Sequence, residues 1–135
     1  MNASAQTTPR QEANSGIFAS KSRTSWIGSK IIQSLGVETE RLDEVHNAMW
    51  LRILRDSANA EPAVNETDQL AAKVLAVARV AEKAATTAGS NAALIAVMRE
   101  SGGSLDPLLA QNFLRVAASP IFWMALDSAG EANAR

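Results

Sequence analysis

The chain has 135 residues, enough for one domain with a buried core. Hydrophobic residues make up 47% and charged residues 20%, the balance of a globular protein rather than a disordered one. A net charge of −1 gives no electrostatic footprint for nucleic acid or an anionic membrane, and the absence of cysteine excludes disulfides and thiolate metal sites. Much of the apolar share is alanine, and there is no tyrosine. Both features point to helices packed on helices. The sequence shows neither the apolar core of a secretory signal nor an apolar run long enough to span a bilayer. A cytoplasmic protein of bacterial type is the expectation, with no membrane association.

From Met1 to about Gly16 the residues are small and polar, and they offer too little apolar surface to offset ordering entropy. Residues 1–16 are therefore expected to form a disordered tail, 17–129 the bundle domain, and 130–135 a frayed end. The first helix is expected from about Ile17 to Leu35. Trp26, Ile27, Ile31 and Leu35 form its apolar stripe, and Gly28 allows another helix to approach closely. Gly36 stands where a left-handed C-terminal cap belongs.

A second helix is expected from Glu38 to about Asp56. Glu38 and Glu40 suit the positive end of its dipole. Leu42, Val45, Met49, Ile53 and Leu54 make its stripe, with Trp50 at the flank. Residues 57–64 read as a loop, with Asn59 and Pro62. Asn65 then caps the longest apolar pattern in the chain, Asn65 to Ala88. Leu70, Val74, Val77, Ala81 and Ala84 run beside Ala71, Leu75, Ala78 and Ala85 in a band wider than a surface helix needs. Lys73, Arg79, Glu82 and Lys83 interrupt it. This helix is expected at the centre of the bundle.

Gly89-Ser90 separates it from a fourth helix, with Ser90 or Asn91 as N-cap and Leu94, Ile95, Val97 and Met98 as apolar positions. Gly102-Gly103 is a break, and Asp106-Pro107 pairs a capping carboxylate with proline at the first helical position. Leu108, Leu109, Phe113, Leu114 and Val116 form a short amphipathic helix. Ser119-Pro120 opens a last turn or two carrying Ile121, Phe122, Trp123 and Leu126.

Several of these segments resemble HD-GYP phosphodiesterase domains. Ala72 to Val80, A-K-V-L-A-V-A-R-V, is similar to that family's A-x-I-L-x-V-A-D-V helix. Gly103-Ser104-Leu105-Asp106-Pro107, with Phe113-Leu114 beyond it, resembles G-x-x-F-D-P followed by a helix ending in F-L. Phe122-Trp123 is similar to the aromatic close after that helix. Leu35-Gly36-Val37, with Glu40, Leu42 and Glu44, resembles the L-G-L turn and acidic helix that lead into L-H-D-I-G-K. The resemblance covers residues 21–126 in pieces. The family's paired His and Asp fall on Arg52 and Ile53, or in a shifted alignment on Arg55 and Asp56. Its helix aspartate falls on Arg79, and no segment corresponds to the Gly-Tyr-Pro loop. The resemblance thus implies a shortened, degenerate HD-like bundle without the metal ligands.

The residues themselves agree with that implication. Metal-dependent hydrolysis needs several His and Asp ligands to hold a metal and acidify its water. The chain has one histidine, His46, which reads as a surface or half-buried helix residue. Gly102-Gly103-Ser104 precedes Leu105 rather than a Lys-Thr pair, so it reads as a helix break and not a phosphate loop. In an HD-like arrangement Arg52 and Arg79 would converge on the former metal site. There they would form either an ion-pair cluster, with Asp56 and Glu82 as neutralising groups, or a pocket for an anion such as cyclic di-GMP. Trp50, Trp123 and Phe122 are the interface candidates, because one small core does not readily enclose so many large side chains.

The expectation is therefore an all-α protein: one orthogonal, HD-domain-like bundle of about five main helices plus a short C-terminal one. It is expected to be a non-catalytic regulatory or protein-interaction module in signalling, without metal or cofactor, acting as a homodimer or with a protein partner. The alternatives are a sensor for an anionic nucleotide at Arg52 and Arg79, and a residual phosphodiesterase.

Overall fold

In the computed structural model, which describes residues 9–55 and 65–134 and side chains from 19 to 55 and 65 to 128, the chain is an all-α bundle. Six helices are seen among these residues: α1 (Pro9–Ser34), α2 (Thr39–Arg55), α3 (Glu66–Ala88), α4 (Ser90–Glu100), α5 (Pro107–Val116) and α6 (Pro120–Ala134). Local chemistry sets most of their ends. Gly36 takes φ 71 after α1, where a side chain would be strained. The Asn65 side chain accepts from the Asp68 N–H at 2.8 Å and so caps α3. The Asp106 carboxylate accepts from the N–H groups of Leu108 and Leu109 at 2.9 and 3.2 Å, with Pro107 opening α5.

Three boundaries differ from the sequence expectation. Residues 9–16 belong to α1 rather than to a tail, whereas residues 1–8 lie outside the described residues. The proposed loop 57–64 and Asp56 also lie outside them. The last helix is no short turn: α6 has 15 residues, more than α4 or α5, and its backbone stays helical to Ala134. The N-cap of α4 is Gly89, φ 94, with no side-chain cap bond, and Ser90 is already helical.

The centre is a pair of helices. Helix α3 packs against α1, α2, α4 and α5, as its broad apolar band requires, and α1 packs against α2, α3, α5 and α6. Val74, Val77, Ala78 and Ala81 of α3 are fully buried with Ile27, Ile31 and Ile32 of α1. Gly28 permits this closeness, because a Cβ there would collide with the Met49 sulfur of α2 and touch Val74. Helix α2 contributes Val45, Met49 and Ile53 to the core, but Leu54, expected in its stripe, is 64% exposed. Helix α4 buries only Ala93 and Val97 of its described side chains, and Ile95 and Met98 face outward. At the far end α5 and α6 close on α1 through aromatic side chains. Phe113 is fully buried, edge-on to Phe122 at 5.9 Å and to Trp123 at 6.3 Å.

Candidate functional site

Arg52 and Arg79 do not converge. The Arg52 guanidinium forks onto Asp68 in the first turn of α3, with Nε donating to Oδ1 at 2.8 Å and Nη2 to Oδ2 at 2.9 Å. Both side chains are largely buried, so this bidentate pair ties the end of α2 to the start of α3. Arg79 is exposed and lies three turns further along α3, about 16 Å away at 1.5 Å per residue. That separation is the physical reason why the pair forms no common anion pocket. Glu82 also has no part in neutralising Arg52 or Arg79, because its carboxylate is bound elsewhere.

That carboxylate is the polar centre that the sequence pattern missed. Glu82 is 6% exposed. One of its oxygens accepts from the Ser20 hydroxyl of α1. The other accepts from the Thr86 hydroxyl at 2.5 Å and lies 3.6 Å from Nε of Arg23. A buried carboxylate is tolerated only with such partners. A signal for it existed: Leu75, Ala78 and Ala85 stand beside Glu82 on the helix wheel, and α1 supplies Ser20, Ser22, Arg23, Thr24 and Ser25 as one polar run. Beside the cluster is a cavity of about 410 Å³, reached by Ser90, Trp123 and Asp127. Both Glu82 oxygens are already engaged as acceptors, so the group serves as a fixed anchor between α1 and α3.

The three interface candidates divide. Phe122 is buried and packs on Trp26 and Trp123, each at 4.9 Å between ring centroids, so it is a core residue and not an interface side chain. Trp123 is half-buried, and its indole N–H donates to the Ala117 carbonyl at 2.8 Å. Trp50 is the one that reaches the surface, 39% exposed on α2, with Leu51 and Leu54 more exposed still. Leu51 and Leu54 lie on the side of α2 away from Val45 and Met49, with Trp50 at its edge. The same side carries Glu40, Asp43, Glu44 and Asn47 one to three turns earlier. The outer face of α2 is therefore acidic in its first half and apolar in its second, up to the exposed Arg55 in the last turn. Ile121 and Met124 form a smaller exposed apolar pair on α6.

His46 is half-buried on α2, and its Nε2 is buried with no hydrogen-bond partner among the described residues. No group of three or more His, Cys, Asp or Glu side chains placed to hold a metal ion occurs among the described residues. No helix among them is long and apolar enough to cross a membrane. Set against protein families, curated proteins and solved structures, the chain matches none. The resemblance to HD-GYP domains therefore rests on the sequence segments alone.

Proposed function

We propose that this protein is a non-catalytic interaction module that self-associates through the outer face of α2. The observation that carries this reading is the contiguous exposure of Trp50, Leu51 and Leu54 on one helix. The other two tryptophans pack in the aromatic cluster with Phe113 and Phe122. Large apolar side chains gathered on a surface favour removal from water by a partner, and a tryptophan is a frequent anchor of such contacts. An HD-type ancestry fits the proposal: a bundle holding Arg52, Ile53 and Arg79 at the family's ligand positions is left to act through its surface. A nucleotide-sensing role at Arg52 and Arg79 is less well supported, because the Arg52 fork already holds Asp68.

Sedimentation of the wild type and of Trp50→Ala, with helicity checked by circular dichroism, tests the proposal. Truncating a central interface tryptophan typically costs about 2 kcal/mol or more, roughly thirtyfold in affinity. A wild type that associates and a folded Trp50→Ala that does not is the expected outcome. A wild type that stays monomeric at high concentration defeats the proposal.

A further inference from the structure

Helices α3 and α4 are joined by Gly89 alone and run alongside each other, leaving a groove of about 490 Å³ between them. Its floor is made of Val80, Ala84, Ala92 and Ala96, all half-buried, with Ala88 at the turn. No side chain of this floor is larger than valine, so the groove can accept bulky side chains from outside. Its rim is charged at one end only. Lys83 and Arg99 stand towards the end away from Gly89, and the exposed Arg79 lies one turn before Lys83. Glu100 is at the same end, with its carboxylate accepting the Ser104 hydroxyl. Near Gly89 the groove presents Thr87, Ala88 and Ala92 and no charge.

We infer that this groove receives the outer face of α2 from a second copy of the chain; the inference rests on the α2 reading above and names the receiving surface. The two surfaces are polarised in the same way. On α2, Asp43 and Glu44 precede Trp50 and Leu51 by two turns, about 10 Å along the axis. On α3, the groove runs from Val80 to Ala88, about 12 Å. An α2 laid in the groove with its acidic half against Lys83, Arg99 and Arg79 puts Trp50, Leu51 and Leu54 over the small, uncharged end. Charge complementarity sets the direction of docking, and burial of the tryptophan and leucines supplies the driving force.

Charge exchange tests the pairing. Three proteins are sedimented: wild type, Asp43→Lys/Glu44→Lys, and Lys83→Glu/Arg99→Glu, with folding checked by circular dichroism. All four positions are exposed, so the variants are expected to fold. Each double variant alone is expected to associate about tenfold more weakly or worse, and an equimolar mixture of the two is expected to recover association, because each reversed surface then meets its complement. Wild-type association is expected to weaken as salt rises. If Lys83→Glu/Arg99→Glu associates as the wild type does while Trp50→Ala does not, the groove is overturned and the α2 reading stands, with α2 meeting another surface. Failure of the mixture to recover association overturns the pairing. A monomeric wild type overturns both.

Discussion

The Arg52 guanidinium and the Asp68 carboxylate meet in a two-pronged contact, at 2.8 and 2.9 Å, across the junction of α2 and α3. The pair stands on either side of residues 56–64 in the sequence and ties the last turn of α2 to the first turn of α3. A double-mutant cycle of Arg52→Ala and Asp68→Ala is expected to give a coupling of about 1–2 kcal/mol in denaturant melts, since the contact is bidentate and largely desolvated. Additive single effects would mean that the pair is as weak as an ordinary surface salt bridge.

The Glu82 cluster predicts an asymmetry. Arg23→Met removes the cation but leaves the buried carboxylate, and it is expected to destabilise the fold by about 1–3 kcal/mol. Adding Glu82→Met removes the stranded charge and is expected to recover part of that loss. Chemical denaturation of the two variants reads the order directly. A double variant less stable than Arg23→Met would show that the Ser20 and Thr86 hydroxyls need the carboxylate more than the carboxylate needs Arg23.

Neighbouring positions on α3 should behave in opposite ways. Ala78 is fully buried and Arg79 is exposed. Ala78→Asp is expected to cost several kcal/mol, because a carboxylate at that position has no partner. Arg79→Asp is expected to stay within about 1 kcal/mol of the wild type. Urea midpoints check this, and the reverse ranking would mean that α3 is rotated from its position here.

Gly28 sets two effects against each other. Alanine in a helix interior is favoured over glycine by about 1 kcal/mol. A Cβ at this site collides with the Met49 sulfur, and overpacking costs about 1–3 kcal/mol. Gly28→Ala is expected to lower the melting temperature in the wild type and to do less harm in a Met49→Ala background. A rise in melting temperature in both backgrounds would show that Met49 yields freely.

The helices were legible along the chain, because their signals are local. The Asn65 cap, the Asp106-Pro107 start, the glycine at residue 36 and the broad band of α3 each act within a few residues, and each is where the pattern placed it. The extents of α1 and α6 were less legible, since polar and alanine-rich ends carry no strong stop. Packing between helices settles which side chains face inward where two orientations are locally equivalent. Glu82 looks like a surface charge until Ser20, 62 residues earlier, and Arg23 are brought to it. Phe122 and Trp50 look alike as apolar aromatics, yet Phe122 finds Trp26, Phe113 and Trp123, whereas Trp50 is left on the outer side of α2. Arg52 and Arg79 form a pair only in the HD-like resemblance: in the fold Arg52 binds Asp68 at the start of α3, and Arg79 lies three turns further along. In each case the outcome depends on partners far away in the chain, and periodicity along a single helix does not name them.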